Sequence, residues 1–295
     1  MPETITSCPV CANNKYQPYL ECIDYTVSKE RFNLDQCRNC GFIFTNPRPT
    51  PAEIGRYYQS EEYISHTNSS KGIQNKLYQV ARNYAIKGKM KLIESLPVNT
   101  KELLDYGCGT GEFLAAAALA GWKVKGMEPD PGARDRAVHN HQLNVTSPEE
   151  LKNLQRDSLS VITLWHVLEH VHDLQETVQQ FFRVLQSGGH LVIAVPNCAS
   201  HDAKKYGAAW AAYDVPRHLY HFTLPVMRRL LEANSFQFVS VKGMFFDPFY
   251  ISLLSEKYKY KGINPVRAAW NGMVTNLKGA ADVKSHSSLL YVFKK

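Results

Sequence analysis

Residues 103–111 read Leu-Leu-Asp-Tyr-Gly-Cys-Gly-Thr-Gly, a short apolar run that ends at an acid and enters a glycine loop. Gly107, Gly109 and Gly111 allow a tight turn beneath a ligand, because only glycine lacks the Cβ that would obstruct the backbone. A second apolar segment ends at Glu128, seventeen residues after the last glycine. An acid in that place accepts hydrogen bonds from both hydroxyls of a ribose. The spacing therefore predicts a nucleoside-binding βαβ unit.

The acid that precedes the loop indicates the kind of nucleoside. Dinucleotide sites usually read Gly-x-Gly-x-x-Gly, and the N-terminus of their helix receives a pyrophosphate. Here the spacing is Gly-x-Gly-x-Gly, and Asp105 would repel a pyrophosphate but suits the ammonium of an amino-acid moiety. This combination resembles motif I of the class I S-adenosylmethionine-dependent methyltransferases. The resemblance implies that Glu128 is the ribose acid, with Pro129 beside it in the cofactor site. An NAD(P)-binding Rossmann domain is the alternative, and the glycine spacing argues against it.

Downstream of this unit, strand-like and helix-like segments alternate. Strands are predicted over residues 158–164, 190–195, 236–244 and 288–293, and helices over 113–120, 173–186 and 223–234. Asp173 is the predicted N-cap of the second helix, and the glycines of 187–189 are predicted to end it. Such alternation predicts an α/β fold with a mainly parallel sheet and helices on both faces. The resemblance covers about residues 75–295 and implies a Rossmann-like seven-stranded sheet whose last strand is antiparallel.

Composition excludes several other classes of protein. Hydrophobic residues make up 44% of the 295, which excludes a disordered chain, and no apolar run approaches the length that spans a bilayer. The first residues have neither a basic region nor an apolar core, so no signal peptide is expected. We therefore expect a cytoplasmic protein without a membrane partner, in which the seven cysteines are reduced.

Two Cys-x-x-Cys pairs form a second constellation, and their members are Cys8, Cys11, Cys37 and Cys40. The two-residue spacing turns both thiolates of a pair toward one metal, and two pairs complete the tetrahedral set of a structural Zn²⁺. The 25 residues between the pairs have room for a β-hairpin, so a zinc-ribbon-like module is predicted over residues 1–50. A redox dithiol would leave the second pair unexplained. The remaining cysteines, Cys22, Cys108 and Cys198, are predicted to be buried or incidental.

A zinc module that precedes such a domain is compatible with two functions. It could bind nucleic acid, or it could cap a small-molecule site. The formal charge of +7 falls to about +5 once four thiolates bind one Zn²⁺. No basic run of five or more occurs, and the lysines of residues 71–91 fit the solvated face of an amphipathic helix. Nucleic acid is therefore the less favoured partner. The order of module and domain resembles that of sugar and metabolite methyltransferases of bacterial biosynthetic clusters, including the longer deoxysugar C-methyltransferases.

Residues 51–74 are predicted to connect the two regions. The three prolines of residues 46–51 predict a stiff, extended entry, followed by a short helix over 52–58 and a mobile segment over 61–72. In the family, a segment before the first strand often closes over the cofactor. Tyr57, Tyr58 and Tyr63 would contribute aromatic faces to such a lid, although ordinary packing of the connector on the core explains them equally well.

A polar segment follows the predicted strand of residues 158–164 and includes Trp165, His166, Glu169 and His170. Open α/β sheets bind ligands at the carboxyl edge, and the resemblance implies that Trp165 and His166 line the cofactor. The motif His-x-x-Glu-His also occurs in inverted zinc peptidases, but in those enzymes both histidines lie on a helix. Quinone O-methyltransferases have a similar Glu-x-x-Glu-His segment associated with a divalent metal. Here His166 replaces their first carboxylate, which argues against dependence on a metal.

A third cluster follows the predicted strand of residues 190–195, where the family keeps its acceptor site. Its candidate acceptor-binding residues are Trp210, Tyr213, Asp214 and Arg217. The candidate general bases are His170, His218 and His221, because an unperturbed imidazole pKa of about 6.5 suits proton acceptance during methyl transfer. Capping of a turn is the alternative role for at least one of the last two histidines.

These patterns predict an S-adenosylmethionine-dependent methyltransferase that acts on a small polar metabolite, with sugars and sugar nucleotides as the class that the resemblance suggests. Three other functions compete with it: a zinc-ribbon RNA methyltransferase, an NAD(P)-binding oxidoreductase, and a non-catalytic module that binds the cofactor. A salt-sensitive shift of RNA would favour the first, and nicotinamide fluorescence would favour the second. The sequence leaves the acceptor atom and the oligomeric state open.

Overall fold

Two β-sheets organise the part of the chain that the computed structural model describes, residues 2–59 and 73–295. In chain order the strands are β1 Tyr16–Ile23, β2 Arg31–Cys37, β3 Ile43–Thr45, β4 Glu102–Tyr106, β5 Lys123–Met127, β6 Val145–Thr146, β7 Leu159–Trp165, β8 Leu185–Pro196, β9 Tyr220–His221, β10 Gln237–Gly243 and β11 Ser288–Lys294. Strands β1, β2, β3 and β9 form the smaller sheet, and the other seven form the larger one.

The larger sheet is mainly parallel. Its strand order is β10-β11-β8-β7-β4-β5-β6. Neighbouring strands from β8 to β6 are parallel, whereas β11 runs antiparallel to both β8 and β10. The predicted Rossmann-like sheet of seven strands with an antiparallel last strand is therefore confirmed. Because β4, β5, β7, β8 and β10 share one direction, the loops that follow them meet at one edge of the sheet, where such folds bind ligands.

Helices cover both faces of this sheet. They are α1 Ile73–Glu94, α2 Glu112–Leu119, α3 Pro131–His141, α4 Leu174–Val184, α5 His201–Tyr206, α6 Leu224–Ala233, α7 Asp247–Tyr260 and α8 Pro265–Ala281. Successive residues of a strand point to opposite faces. Leu104 and Ile162 accordingly join one apolar cluster with residues of α4 and α6, whereas Leu103 and Val161 join another with residues of α2 and α3.

The structure differs from the predicted elements in the second half of the chain. Helix α4 ends at Val184 and β8 begins at the next residue, so Gly188 and Gly189 lie inside a strand and do not end the helix. Asp173 occupies the N-cap position of α4, but its side chain makes no capping hydrogen bond. The helical hairpin of α7 and α8 between β10 and β11 was not predicted.

The smaller sheet joins the cysteine-rich module to the rest of the chain. Strand β3 pairs with β9, which lies in the loop after α5. The ring of Phe42 contacts the rings of Tyr220 and Phe222, with centroids 5.6 and 5.5 Å away. Cys8 and Cys37 belong to the same buried apolar cluster as β7 and β8. The module therefore shares part of its apolar core with the larger sheet, and the division into domains stays a proposal.

The connector begins as a packed segment. Arg48 is buried, and its guanidinium donates to Tyr220 Oη at 2.7 Å and to the carbonyl of His172 at 3.3 Å. The predicted short helix is present as a 3₁₀ turn, Ile54–Tyr58. The predicted mobile segment and Tyr63 lie outside the described residues. Among the described helices, none has the length and apolar character needed to cross a membrane.

Candidate functional site

The glycine loop connects β4 to α2. Gly107, Gly109 and Gly111 have φ values of 77°, 56° and 85°, so all three adopt the left-handed conformation. A Cβ on Gly107 would lie 2.4 Å from Val167 Cγ2, and one on Gly111 would lie 2.6 Å from Leu143 Cδ1. Packing within the protein therefore requires these two glycines. A Cβ on Gly109 would meet nothing within 4 Å, so at this residue the loop faces open space.

Glu128 lies beside this loop, directly after β5. Its Oε2 accepts a hydrogen bond from the N–H of Gly109 at 2.9 Å, and its Oε1 accepts one from the N–H of Asp130 at 3.0 Å. Burial raises the pKa of Glu128, and these two N–H groups oppose the rise. Each oxygen keeps a second lone pair, so the carboxylate has capacity for ribose hydroxyls. Pro129 is exposed next to it, and its carbonyl accepts from Arg134 at 2.9 Å.

Asp105 and a lysine of α1 face the same region. Asp105 is buried and accepts a hydrogen bond of 2.6 Å from Thr163 Oγ1, and burial raises its pKa to about 6. Lys89 Nζ lies 4.4 Å from the centroid of the Trp165 ring. Burial lowers the pKa of Lys89, while the carboxylates of Asp105 and Asp247 oppose this effect. Lys89 is half-buried, so its predicted solvated position holds only in part, and its ammonium lies over an aromatic ring.

His166 follows β7 and forms an ion pair with α7. Its φ of 58° is uncommon for a residue other than glycine. Nε2 lies 3.2 Å from Asp247 Oδ2, and Nδ1 lies 3.6 Å from Glu169 Oε1. Removal from water lowers the pKa of His166, but the two carboxylates outweigh this effect and raise it to about 10. His166 is therefore an imidazolium at neutral pH, which suits it to binding negative charge and not to accepting a proton.

We expect the stability deficit of His166→Asn to shrink as pH rises. The folded-state pKa of about 10 exceeds the ordinary 6.5, so the ion pair stabilises fully below about pH 6.5 and its contribution is lost between there and about pH 10. Asparagine tolerates the positive φ, so backbone strain does not obscure the comparison. Urea titrations across this range measure the free energy of unfolding. His139→Asn, on the exposed face of α3, is the control, and a deficit that stays constant or grows with pH would contradict the ion pair.

Glu169, His170 and His218 form a cluster at the same edge of the sheet. One ligand atom from each lies within 4.8 Å of the others, and the two imidazole rings meet edge to face at 4.7 Å. Glu169 is 1% exposed, and neither carboxylate oxygen has a hydrogen-bond partner among the described residues. Burial opposes its ionisation, but His166, followed by the two clustered histidines, lowers the pKa of Glu169. An ionised carboxylate is thus held beside two imidazoles.

Hydrogen bonds set the roles of the ring nitrogens in this cluster. His218 Nδ1 lies 2.9 Å from the carbonyl of Ala212 and must donate to it, so a neutral His218 has its lone pair on Nε2. His170 Nδ1 lies 3.0 Å from both the carbonyl of Arg217 and Tyr58 Oη. Burial and the neighbouring His218 lower the pKa of His170 to about 4, so this imidazole is neutral at pH 7. The arrangement has the chemistry of a general base.

His221, the third predicted base, lies on β9. It is 4% exposed, with Nε2 3.4 Å from Thr45 Oγ1 and its ring 5.3 Å from the ring of Tyr213. Burial lowers its pKa well below the ordinary value. The structure thus gives His221 a packing role between the module and the loop, and its role as a base stays a prediction.

Trp210 and Tyr213, two of the predicted acceptor-binding residues, are buried. Each is 2% exposed, and their rings meet edge to face at 5.1 Å. Trp210 Nε1 donates to Asp202 Oδ2 at 3.0 Å. Burial raises the pKa of Tyr213, so its hydroxyl stays protonated. Both side chains shape the loop from within, and their direct contact with an acceptor stays a prediction.

Arg217 and Asp214 connect this loop to the cysteine-rich module. Arg217 is 1% exposed and donates to Asp214 Oδ2 at 3.0 Å, to Asp24 Oδ1 at 3.0 Å and to the carbonyl of Tyr57 at 2.8 Å. Asp24 lies in the turn between β1 and β2. The guanidinium lowers the pKa of Asp214 against the effect of burial. This buried network positions the cluster of Glu169, because the backbone of Arg217 also bonds His170.

The four predicted metal ligands converge in the module. Their Sγ atoms all lie within 4.8 Å of one another, with 3.5 Å between Cys8 and Cys40 and 3.6 Å between Cys11 and Cys37. Tetrahedral Zn²⁺ with Zn–S bonds of about 2.3 Å requires sulfur atoms about 3.8 Å apart. In both pairs the N–H four residues after the first cysteine donates to its carbonyl at 2.9 Å. The donor set and its spacing therefore fit Zn²⁺.

Two site residues, Lys89 and Asp247, were missed in the sequence. Lys89 was assigned to solvent together with the other lysines of residues 71–91, which fit one solvated face of an amphipathic helix. A signal did exist for Asp247. It follows β10, whose carboxyl end lies at the same edge as the other site loops, and Asp247-Pro248 is a common way to begin a helix.

Comparison with known proteins connects this geometry to a family. The family described as "Methyltransferase domain" matches residues 78–241, more than half of the chain. One curated relative, the mitochondrial ubiquinone biosynthesis O-methyltransferase of Rattus norvegicus, is 28% identical over 171 residues, which cover 52% of this chain and 49% of that protein. The ubiquinone biosynthesis O-methyltransferase of Cupriavidus pinatubonensis is 26% identical over 164 residues, with coverages of 50% and 65%. The chain thus spans about half to two thirds of the length of these relatives.

Solved structures share the fold. Geranyl diphosphate methyltransferase in complex with SAM superposes with a TM-score of 0.55 at 15% identity, covering 77% of this chain and 91% of that one. Phosphoethanolamine N-methyltransferase 2 of Haemonchus contortus, in complex with S-adenosyl-L-methionine, has a TM-score of 0.52 at 17% identity, with coverages of 86% and 62%. At these identities the likeness concerns the fold, which agrees with the strand order described above.

Proposed function

The chain belongs to the methyltransferase-domain family, and on this premise we propose that it transfers a methyl group from S-adenosylmethionine to a hydroxyl of a small polar metabolite. The observation that carries the proposal is the pairing of an open glycine loop at Gly109 with the buried carboxylate of Glu128 at the carboxyl edge of the sheet. The N–H of Gly109 donates a hydrogen bond to Glu128, and this proximity supports a site for a ribose and its adjoining chain.

The cofactor would lie along this edge. In the proposal, Glu128 and Pro129 receive the ribose, and the loop of Gly107, Gly109 and Gly111 faces the methionine moiety. Asp105 receives the ammonium, for which Lys89 is a competing cation, while Trp165 lines the sulfonium and His166 lines the adenine. Aromatic faces bind cations, and the position of Lys89 Nζ over the Trp165 ring supports a cation-binding role for that ring.

Bound S-adenosylmethionine supplies an electrophilic methyl group on a sulfonium. The residues of the chain align the acceptor oxygen with that methyl, exclude water and take the acceptor proton. In this proposal an imidazole nitrogen of His218 or His170 receives the proton as the oxygen–carbon bond forms and the sulfur–carbon bond breaks. Glu169 stabilises the resulting imidazolium, because an adjacent negative charge favours the charged form.

Oxygen is the proposed acceptor atom for two reasons. The cluster of Glu169 has the chemistry of a base, which a hydroxyl needs and an already deprotonated amine or carboxylate does not. In addition, the curated relatives are named as O-methyltransferases. A sugar or sugar nucleotide is the acceptor class that we propose, on the resemblance in the order of module and domain, and nucleic acid remains the less favoured acceptor.

The cysteine-rich module is proposed to hold one structural Zn²⁺. Four thiolates close the coordination sphere, as in structural sites, and leave no position for a catalytic water. A reducing compartment such as the cytoplasm is part of this proposal, because seven free cysteines are compatible with it. Through Asp24 and β3 the module supports the loop that carries His218 and thus positions the base from outside the methyltransferase sheet.

Glu128→Ala is expected to weaken the binding of S-adenosylmethionine at least tenfold, because each hydrogen bond to the carboxylate contributes about 1.5 to 3 kcal/mol. Isothermal calorimetry with S-adenosylmethionine and with its demethylated product measures the change. Glu94→Ala, which removes an exposed acid at the end of α1, is the matched control and should bind normally. Normal affinity in Glu128→Ala would remove the basis of the proposed function.

A further inference from the structure

Helix α8 has its polar and apolar faces the opposite way round from most surface helices, which bury the apolar face. Its buried residues are small or polar, namely Ala268, Asn271, Gly272, Thr275, Asn276 and Gly279. Its large apolar residues point to solvent, with Val266 79%, Trp270 64%, Met273 51% and Leu277 66% exposed. Spacings of four, three and four residues place these four side chains in one stripe along the helix.

Specific contacts hold α8 in this orientation. Asn271 Nδ2 donates to Tyr206 Oη at 2.6 Å, and Asn276 Nδ2 donates to the carbonyl of Phe245 at 2.9 Å. A Cβ on Gly272 would lie 2.6 Å from the ring of Phe249, so the helix is in close contact with α7 along its small residues. Rotation of the apolar stripe inward would break these hydrogen bonds and bring large side chains into that contact. The packing of α8 therefore requires the apolar stripe to face solvent.

The segment that carries the stripe is basic. Residues 256–282 contain five lysines and arginines and two acids, Glu256 and Asp282, one at each end. Lys257, Lys259, Lys261 and Lys278 are exposed, and Arg267 forms an ion pair with the buried Glu256. Two copies of this surface would bring like charges together, which opposes self-association. An anionic surface is complementary to it. Helices that lie in a membrane interface combine such features, apolar and aromatic residues on one side with lysine or arginine around them.

We propose that the exposed face of α8 docks on an anionic lipid surface, with the helix lying in the plane of the interface. Trp270 and its apolar neighbours enter the boundary between headgroups and acyl chains, and the surrounding lysines contact the phosphates. The proposal departs from the expectation of no membrane partner, which considered spanning segments alone. It is independent of the proposed methyl transfer, because it uses no residue of the candidate site.

Co-sedimentation with vesicles tests the proposal. We expect the full chain to bind vesicles of phosphatidylcholine mixed with phosphatidylglycerol, to bind phosphatidylcholine alone weakly, and to dissociate as salt rises. Tryptophan emission should shift to shorter wavelength on binding, because Trp270 is 64% exposed in the free protein. Leu277→Glu should reduce the affinity at least tenfold, whereas Leu119→Glu, at an even more exposed leucine of α2, should not. The pair Lys261→Gln and Lys278→Gln should weaken binding about tenfold or more, since each cation near an anionic surface contributes about fivefold.

Three outcomes would overturn the proposal. One is failure of the wild-type chain to bind the anionic vesicles. Another is equal loss of binding in Leu277→Glu and Leu119→Glu, with both proteins folded by circular dichroism. A third is a dimer in light scattering that Leu277→Glu dissociates while vesicles bind neither form, which would assign the stripe to a second copy of the chain.

Discussion

His218→Ala is expected to lower turnover about 10²-fold or more while affinity for S-adenosylmethionine stays within about twofold of wild type. The lone pair on Nε2 and the adjacent Glu169 make this imidazole the best-placed base, and a base acts on the chemical step and not on cofactor binding. Single-turnover kinetics with an acceptor found by screening sugars and sugar nucleotides measure the chemical step. Calorimetry measures the cofactor affinity separately.

Three further histidine variants sharpen this test. His170→Ala should also lower turnover if the two imidazoles share the proton. His139→Ala, on the exposed face of α3, should change nothing. His221→Ala should lower the thermal midpoint of unfolding, because this buried ring packs between Thr45 and Tyr213. Near-normal turnover in all three variants of the predicted bases would sink the base hypothesis and favour an acceptor that is already deprotonated.

The environment of His170 also determines the pH dependence that we expect of turnover. An unperturbed imidazole would predict a rate that rises through about pH 6 to 7. The pKa of His170 is lowered to about 4, so a reaction that depends on this base is already at its plateau by about pH 6. Absence of the rise between pH 6 and 7 is therefore compatible with His170 as the base.

Purified protein is expected to contain about one zinc per chain, and Cys8→Ser is expected to lose it and to lower the unfolding midpoint by about 10 °C or more. Removal of one thiolate opens the coordination sphere, and binding of structural Zn²⁺ is part of the folding free energy of such modules. Because Cys8 and Cys37 share an apolar cluster with β7 and β8, the loss should destabilise the whole chain in one transition. Elemental analysis and differential scanning calorimetry measure the two effects.

Cys22→Ser is the matched control for the zinc site. Cys22 is buried but lies outside the four-cysteine cluster, so its replacement should leave the zinc content unchanged. Fresh, unchelated wild-type protein without zinc would defeat the proposal. An unaltered unfolding midpoint in Cys8→Ser, with zinc lost, would show that the module is not coupled to the larger sheet.

The cofactor region shows how far the sequence predicts the site and where it stops. The glycine spacing and Glu128 predict a local turn over about twenty residues, and the structure contains this turn with a hydrogen bond from Gly109 to Glu128. Their role in cofactor binding stays a prediction. From the sequence, all three glycines are expected to make room for a ligand. In the structure, a side chain at Gly107 would clash with Val167 and one at Gly111 would clash with Leu143. Only Gly109 faces open space that a ligand could approach. Those partners are distant in the chain, and a single sequence has no local signal for them.

The amino-acid sequence alone determined those features that depend on patterns of residues close together in the chain. Alternating apolar periodicity specified the α/β class and most strands, and paired cysteine spacing specified the four thiols that converge in the module. Only the tertiary structure decided which imidazoles meet Glu169, that Asp247 pairs with His166, and that α8 exposes its apolar stripe. These features arise from contacts between segments that are far apart in the chain. The local sequence around each residue is compatible with several environments for its side chain, and packing of the folded chain selects one of them.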